Sequence, residues 1–230
     1  MMALAMPLQA KIYLVSAGVS DYPGDNMDLN LPAKDAQKIA WLYGKNSKVV
    51  YKLLTNSDAT QANITNAIRQ TFADAKPDDI VVFFFSGHGY PGGFCAYDGN
   101  LEYETLRKAM AQSKSKNKMI FADACFAGKI ATEGTNNSNS VAEARKANVM
   151  LFLSSRRNET SLERRDMDNG FFTTALQNGL RGKADANRDR KITARELFEY
   201  VSKSVKKMSN DRQHPVMWGK FPNSMVVMQW

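Results

Sequence analysis

The sequence predicts an α/β fold, in which a mostly parallel β-sheet is covered by helices on both faces. Short apolar runs alternate along the chain with segments whose apolar residues recur at helical spacing. Two of these runs, residues 80–85 and 119–122, contain no polar residue, which is typical of strands buried on both faces of a parallel sheet. The length of 230 residues and a hydrophobic share of 43% suit one globular domain with a full core. We therefore expect a single domain over residues 11–230.

The first half of the chain predicts three strands joined by two helices. Pro32 opens the first helix, because the fixed φ of proline suits a first helical turn. Asp58 or Thr60 caps the second helix, in which apolar residues again recur at helical spacing. The expected strands are residues 12–17, 49–54 and 80–85.

The second half of the chain predicts further strands and helices, with two long loops among them. A glycine-rich loop is expected at residues 91–100, and a polar loop rich in Asn and Ser is expected at residues 129–148. The expected strands are residues 119–122, 149–154 and 225–228, and the expected helices are residues 104–113, 170–180 and 193–207.

Cys125 and His88 each lie just beyond the end of an apolar strand. The C-terminal ends of parallel strands lie along one edge of a sheet, so neighbouring strands would bring these two side chains together. A free thiol is mostly protonated at neutral pH, and a nearby imidazole can take its proton and later protonate a leaving amine. Gly89 lets the backbone approach a substrate closely, and its N–H, with that of Cys125, suits an oxyanion. The pattern predicts a cysteine nucleophile with a histidine base.

Two alternatives concern the thiols. A lone cysteine at the position of Cys125 would more often be a buried core thiol, since cysteine is among the most buried residue types. Cys95 lies in the glycine-rich loop close to His88 in sequence, so it is the rival nucleophile. The second histidine, His214, is expected to be packed or at the surface.

The motifs SGHG at residues 86–89 and DACFAG at residues 123–128 resemble those of the caspase superfamily of cysteine peptidases. The likeness is greatest to the metacaspase-like and bacterial caspase-like branch, and it covers nearly the whole chain. It implies a three-layer caspase-like fold around a sheet of about six strands with helices on both faces. It also implies a His88–Cys125 dyad, with the backbone amides of Gly89 and Cys125 as the oxyanion hole.

The resemblance further implies a pocket for basic side chains. True caspases carry Gln two residues before the nucleophile, whereas this chain has Asp123, which matches an acidic pocket position of the family's basic-specific branch. Asp35 and Ser86 match two further pocket positions. Two carboxylates at a narrow pocket favour a guanidinium or an ammonium group, so we expect cleavage after Arg or Lys. The alternatives are that Asp35 is a first-turn helix acid and that Asp123 is a turn residue at a strand end.

The loop at residues 129–148 occupies the place where members of this superfamily are often cleaved during activation. It contains three basic residues, Lys129, Arg145 and Lys146. Because an acidic pocket would accept such residues, we expect this loop to be a processing linker that the protein cleaves itself.

Residues 185–196 read DANRDRKITARE and follow the template of an EF-hand calcium loop. The candidate ligands are Asp185, Asn187, Asp189, Lys191 through its carbonyl, Thr193 and Glu196. Arg190 departs from the template, because glycine normally permits the sharp turn at that place. The alternative is structural, since the spacing of Thr193 and Glu196 also matches a capping box that opens the last long helix. The cysteine chemistry needs no cofactor, so Ca²⁺ is the one ion that the sequence suggests.

Residues 1–10 are apolar and end in small residues, like the rear part of a secretory signal without its charged leading region. If they are a signal remnant, the mature chain begins at Lys11 and is secreted or periplasmic. The alternative is a short apolar extension packed on a cytoplasmic protein.

The net charge of +8 is compatible with nucleic-acid binding, but the Lys and Arg residues are scattered along the chain. No basic stripe is interleaved with stacking aromatic residues, so we expect protein or peptide substrates and no nucleic acid. No run is long enough to span a bilayer, and nothing in the sequence specifies an oligomeric state.

These motifs predict a cysteine endopeptidase that acts through His88 and Cys125 and cleaves after Arg or Lys. The alternative is a catalytically inactive binding or scaffold protein of the same fold that has kept its motifs. The presence of both dyad residues favours the enzyme.

Overall fold

The computed structural model describes residues 10–45, 48–90, 92–124, 149–154, 170–219 and 221–229. Residues 1–9, which make up most of the predicted signal remnant, lie outside these ranges, as does the whole predicted processing loop at residues 129–148. Within the described ranges, no helix combines the length and the apolar character that a membrane span requires.

The described strands form one large sheet and two small ones. The strands are β1 (Ile12–Gly18), β2 (Val49–Thr55), β3 (Ile80–Gly87), β4 (Gly89–Tyr90), β5 (Gly93–Ala96), β6 (Gly99–Glu102), β7 (Asn117–Ala124), β8 (Val149–Leu153), β9 (Lys191–Thr193), β10 (Val216–Trp218) and β11 (Val226–Gln229). The large sheet has six strands in the order β10-β8-β7-β3-β1-β2. All its neighbouring strands are parallel except β10, which runs antiparallel to β8. The predicted mostly parallel sheet is therefore confirmed.

Helices cover both faces of this sheet. The described α-helices are α1 (Pro32–Gly44), α2 (Gln61–Thr71), α3 (Tyr103–Ala111), α4 (Phe171–Asn178), which a π-helical turn at Gly179–Lys183 extends, and α5 (Ala194–Met208). The buried hydrophobic residues of α1, α4 and α5 belong to one hydrophobic core, and those of α2 and α3 belong to the other. The sheet therefore lies between two layers of helices, which is the predicted three-layer arrangement.

The two cores arise because side chains along a strand alternate between the faces of the sheet. In β3 the side chains of Val82 and Phe84 enter the core under α1, whereas those of Phe83 and Phe85 enter the core under α2. All four are fully buried, as the continuous apolar run predicts.

The helices begin where the sequence places start signals. Pro32 is the first residue of α1. Thr60, rather than Asp58, caps α2, because its hydroxyl accepts a hydrogen bond from the amide of Asn63 at 3.1 Å. Thr193 and Glu196 form the capping box that opens α5.

The glycine-rich segment at residues 91–100 differs from the expected loop. It contributes to a small antiparallel sheet in the order β4-β5-β6. Phe94 and Leu101 pair across β5 and β6, and both are buried in the core under α2 and α3. Two buried side chains opposite each other stabilise this sheet. The glycines around them interrupt the alternation of apolar and polar residues that would predict its strands.

Candidate active site

His88 lies at the C-terminal edge of the large sheet, one residue beyond β3. β3 and β7 are parallel neighbours, and their register pairs Ser86 with Asp123 and Gly87 with Ala124. Two strands that the sequence identifies separately therefore end side by side. Cys125, the predicted nucleophile, is the residue after Ala124 and lies outside the described residues, as do the predicted processing residues Lys129, Arg145 and Lys146.

The imidazole of His88 is held by a main-chain group. Its Nε2 atom lies 2.7 Å from the carbonyl oxygen of Met27. A carbonyl oxygen only accepts hydrogen bonds, so Nε2 carries the proton of the neutral ring and Nδ1 is left as the basic atom. This is the tautomer in which Nδ1 can take a proton from a thiol.

The aromatic ring of Tyr22 also contacts the imidazole, at 5.0 Å between ring centroids and an angle of 46°. The hydroxyl of Tyr22 accepts a hydrogen bond from the backbone amide of His88 at 2.9 Å and donates one to the carbonyl of Cys95 at 3.1 Å. Sequence reasoning missed Tyr22 and Met27. Their loop follows β1 at the same edge of the sheet, and that position was the available signal.

Gly87 and Gly89 flank His88. Gly87 has a φ of +155°, and a Cβ atom there would lie 2.7 Å from the hydroxyl of Tyr22. A larger residue at position 87 would therefore disturb the backbone that carries the imidazole. Gly89, the predicted oxyanion-hole residue, begins β4 and pairs with Phe94 of β5.

Two of the three predicted pocket residues are in direct contact. The hydroxyl of Ser86 donates a hydrogen bond to the Asp35 carboxylate at 2.9 Å, and the two residues are 2% and 1% exposed. Asp35 lies in the first turn of α1, as expected if it were a first-turn helix acid. It faces the sheet instead of solvent, however. The pairing with Ser86 stabilises a carboxylate that burial alone would disfavour.

Asp123, the third predicted pocket residue, lies beside Ser86 in the register and is 6% exposed. Its Oδ2 atom accepts two hydrogen bonds from Thr173, one from the amide at 3.1 Å and one from the hydroxyl at 2.9 Å. Asp123 therefore caps the N-terminus of α4, where the helix dipole favours a negative charge. A Cβ atom at Gly170 would lie 2.6 Å from the same oxygen, so the chain approaches the carboxylate closely there.

Ser86 and Asp123 also project to the same face of the sheet. Each lies two residues beyond a phenylalanine, Phe84 or Phe121, that is buried in the core under α1, and alternate residues of a strand share a face. The structure thus brings Asp35, Ser86 and Asp123 to one face at one edge, with two carboxylates among them.

The candidate calcium loop has part of the expected geometry. The carboxylate of Asp185 accepts hydrogen bonds from the amides of Asp189 and Arg190, at 3.2 and 3.1 Å. Asn187 Oδ1 accepts a second bond from the Asp189 amide, and Asp189 accepts one from the amide of Lys191. Arg190 has a φ of +63°, so it adopts the left-handed conformation that glycine usually supplies at this place.

Glu196, the expected last ligand of this loop, is engaged elsewhere. Its Oε2 atom accepts hydrogen bonds from the amide and the hydroxyl of Thr193, at 3.0 and 2.8 Å, and so forms the capping box. Across the ranges that the structure describes, no three His, Cys, Asp or Glu side chains are grouped as metal ligands. Glu196 is therefore engaged with Thr193 in this arrangement, and calcium binding stays a prediction.

Cys95 and His214 are the other cysteine and the other histidine of the chain. Burial raises the pKa of the half-buried Cys95 thiol, which disfavours the thiolate that a nucleophile needs. The Nε2 atom of His214 lies 3.1 Å from a carboxylate oxygen of Asp211 in the turn after α5. Neither residue has the setting expected of the nucleophile or the base.

The family model described as the caspase domain matches residues 15–225 of this chain. Two solved structures are similar over nearly their whole length. Protein GSU0716 from Geobacter sulfurreducens is 19% identical, with a TM-score of 0.66 over 95% of this chain and 97% of that one. Caspase-1 from Spodoptera frugiperda is 15% identical, with a TM-score of 0.67 over 99% of this chain and 97% of that one. A search of curated proteins finds no match.

The order of the strands, the helices on both faces and the motifs at the edge of the sheet agree with that match. Because the family model covers nearly all of the domain, the chain belongs to the caspase-domain family.

Proposed function

We propose that this protein is a cysteine endopeptidase that hydrolyses peptide bonds with Cys125 as nucleophile and His88 as base. The observation that carries the proposal is the register of β3 and β7, which pairs Gly87 with Ala124. In the sequence, His88 directly follows Gly87 and Cys125 directly follows Ala124, so each is one peptide bond from a residue of this pair. The Met27 carbonyl supports the proposal further, since it holds His88 in the tautomer with a basic Nδ1.

The reaction follows from these roles. His88 takes the thiol proton, and the thiolate attacks the carbonyl carbon, whose π electrons move onto the oxygen. The amides of Gly89 and Cys125 stabilise this oxyanion. The carbon–nitrogen bond then breaks, and the imidazolium gives its proton to the leaving amine. Water, activated by His88, attacks the resulting thioester and releases the acid and the thiol.

The proposed substrates are proteins or peptides with Arg or Lys before the cleaved bond. Asp35 and Asp123 lie on one face at the edge of the sheet that carries His88. Ser86 pairs in register with Asp123, and its hydroxyl donates to Asp35. Two carboxylates in such a place attract a cation, and a guanidinium can pair with a carboxylate through two hydrogen bonds.

A thiol-reactive peptide with Arg before the warhead tests the nucleophile. We expect it to label the wild-type protein at Cys125, and we expect Cys125→Ala and His88→Ala to abolish labelling. The matched controls are Cys95→Ala and His214→Ala, which remove the other cysteine and the other histidine and should label normally. Labelling that survives Cys125→Ala but not Cys95→Ala would overturn the assignment. A folded protein that neither labels nor cleaves peptides would support the inactive scaffold instead.

A peptide panel that varies only the residue before the cleaved bond tests specificity. We expect faster cleavage after Arg and Lys than after Asp, because the pocket residues are acidic. Faster cleavage after Asp would contradict the proposed pocket.

We propose in addition that the protein cleaves itself in the loop at residues 129–148, after Lys129, Arg145 or Lys146. Mass spectrometry of the wild-type protein and of Cys125→Ala, incubated side by side, tests this. Fragments that end at one of the three residues are expected only from the wild type. Identical intact masses over time would contradict self-cleavage.

A further inference from the structure

The loop between β1 and α1 holds His88 through three contacts. The carbonyl of Met27 bonds to the imidazole, the ring of Tyr22 packs against the imidazole, and the hydroxyl of Tyr22 bonds to the backbone amide of His88. Two of the three come from one side chain. Removal of Tyr22 would therefore affect both the backbone and the ring of the histidine.

The Tyr22 hydroxyl adds a link between two backbone segments that already meet, because the Cys95 amide donates to the His88 carbonyl at 2.9 Å. It accepts from His88, directly after β3, and donates to the carbonyl of Cys95 in β5. A phenol can do both at once because it has one proton and two lone pairs. Burial raises the pKa of Tyr22, so the hydroxyl keeps the proton that it donates.

Tyr22 is itself fixed in place. The side chain is 6% exposed, and its backbone amide donates to a carboxylate oxygen of Asp28 at 3.0 Å. Ser20, two residues earlier, is also tied down, because its amide donates to Asn56 Oδ1 at 2.9 Å and its hydroxyl accepts from the amide of Ala33 at 2.9 Å. A loop with these anchors presents the hydroxyl at a fixed point.

The backbone at Gly87 lies close to the Tyr22 hydroxyl and leaves no space for a side chain at position 87. A Cβ atom at Gly87 would lie 2.7 Å from the Tyr22 oxygen, closer than real Cβ contacts allow. Glycine at position 87 and tyrosine at position 22 therefore fit each other directly before the histidine.

We propose that Tyr22 is a positioning residue for the imidazole of His88, which it fixes by bridging the His88 amide to the Cys95 carbonyl and by packing on the ring. The expected effect on catalysis rests on the proposed function. The position of the His88 imidazole can be measured whether or not the protein is a peptidase. Positioning of a base matters because a displacement of about 1 Å in an active site can cost roughly 100-fold in rate.

The test compares Tyr22→Phe with Tyr103→Phe. Tyr103→Phe is a matched control, because Tyr103 is a partly buried tyrosine whose hydroxyl donates to the Gly93 carbonyl of β5 at 3.0 Å and not to a group of His88. Each variant loses one phenol oxygen and one hydrogen bond to β5. For Tyr22→Phe we expect kcat on an Arg peptide to fall roughly 10- to 100-fold with KM nearly unchanged, and for Tyr103→Phe we expect both to stay near wild type.

Nitrogen-15 NMR of the imidazoles gives a readout that does not depend on peptidase activity. The chain has two histidines, so His214→Ala identifies the His88 signals. We expect a single tautomer protonated at Nε2 in the wild type and in Tyr103→Phe, and a mixture of tautomers in Tyr22→Phe. Gly87→Ala is a second variant that should give the same mixture, because its Cβ must displace the hydroxyl.

The outcomes separate the two proposals. If the wild type has no peptidase activity but the tautomer changes only in Tyr22→Phe and Gly87→Ala, the positioning role stands and the proposed function fails. If Tyr22→Phe matches Tyr103→Phe in both kcat and imidazole signals, the positioning role is overturned. Melting temperatures of the two Phe variants check that both are folded.

Discussion

Thr173 donates two hydrogen bonds to the same carboxylate oxygen of Asp123, one from its amide and one from its hydroxyl. The two residues are 50 positions apart in sequence, and the contact joins the end of β7 to the first turn of α4. The predicted pocket acid thus also stabilises the start of a core helix. Substitution of Asp123 will therefore affect stability and, under the proposed function, specificity as well, and substitutions of its partner can separate the two.

Thr173→Val should destabilise the fold while it keeps the shape of the side chain. It removes the hydroxyl bond to a buried carboxylate and leaves the amide bond, so we expect a loss of about 1.5–3 kcal/mol in the free energy of unfolding. Urea unfolding measures this. The control is Thr65→Val, since the Thr65 hydroxyl bonds to the Gln61 carbonyl within α2, and a bond of that kind contributes little. Equal losses in the two variants would contradict the importance of the Asp123 contact.

Ser86→Ala should leave the Asp35 carboxylate buried with one donor fewer. We expect a loss of about 1–3 kcal/mol in the free energy of unfolding, because a buried acceptor that loses a partner keeps its desolvation penalty. Ser16→Ala is the control, since the Ser16 hydroxyl is equally buried and bonds to the neutral Ala36 carbonyl at 2.8 Å. A smaller loss for Ser86→Ala than for Ser16→Ala would argue against a charged Asp35.

Gly87→Ala should cost more stability than Gly24→Ala. Both glycines have a positive φ, +155° and +89°, so both alanines pay for a backbone conformation that L residues avoid, about 1–3 kcal/mol. Only the Cβ at position 87 also meets another group, the Tyr22 hydroxyl, whereas the Cβ at position 24 has no atom within 4 Å. Urea unfolding of both variants checks the difference, and a larger loss at position 24 would contradict the tight fit of Tyr22 against β3.

Arg190→Gly should stabilise the protein. Arg190 has a left-handed backbone conformation that costs a side-chain-bearing residue roughly 1 kcal/mol and costs glycine nothing. We therefore expect a small gain in the free energy of unfolding, which thermal or urea unfolding can detect. Arg195→Gly is the contrasting variant, because it places glycine in the first turn of α5 and should destabilise.

Calcium titration by calorimetry tests the loop at residues 185–196. If the loop binds Ca²⁺, we expect binding heat in the wild type and its loss in Glu196→Gln, since the twelfth residue supplies the bidentate ligand of such loops. Binding would require the Glu196 carboxylate to leave Thr193. Absence of heat in the wild type would leave the capping box as the sole role of this pair.

Much of the architecture was predictable because it depends on patterns within short segments. The apolar runs of β3 and β7, Pro32 at the start of α1, and the spacing of Thr193 and Glu196 each carry their own signal. The association of β3 with β7 was also expected, because parallel strands place the ends that carry motifs along one edge.

Other parts of the site have no such signal. The bonds from Thr173 to Asp123 and from Ser86 to Asp35 cross 50 and 51 positions, and no local pattern specifies which strand end meets which helix. The sheet of β4, β5 and β6 escaped prediction because its few apolar residues stand among glycines. Tyr22 looked like an ordinary loop residue, since the two bonds of its hydroxyl are to main-chain groups that nearly every residue offers.

The contact between His88 and Met27 requires a particular backbone path but no particular side chain at position 27. The oxygen that orients the imidazole belongs to the main chain, while the Met27 side chain is 44% exposed to solvent. Evolution can therefore change this position widely without touching the histidine, provided that the loop keeps its path. Substitution of the Met27 side chain should therefore leave the His88 tautomer unchanged, whereas a change in the path of this loop should alter it.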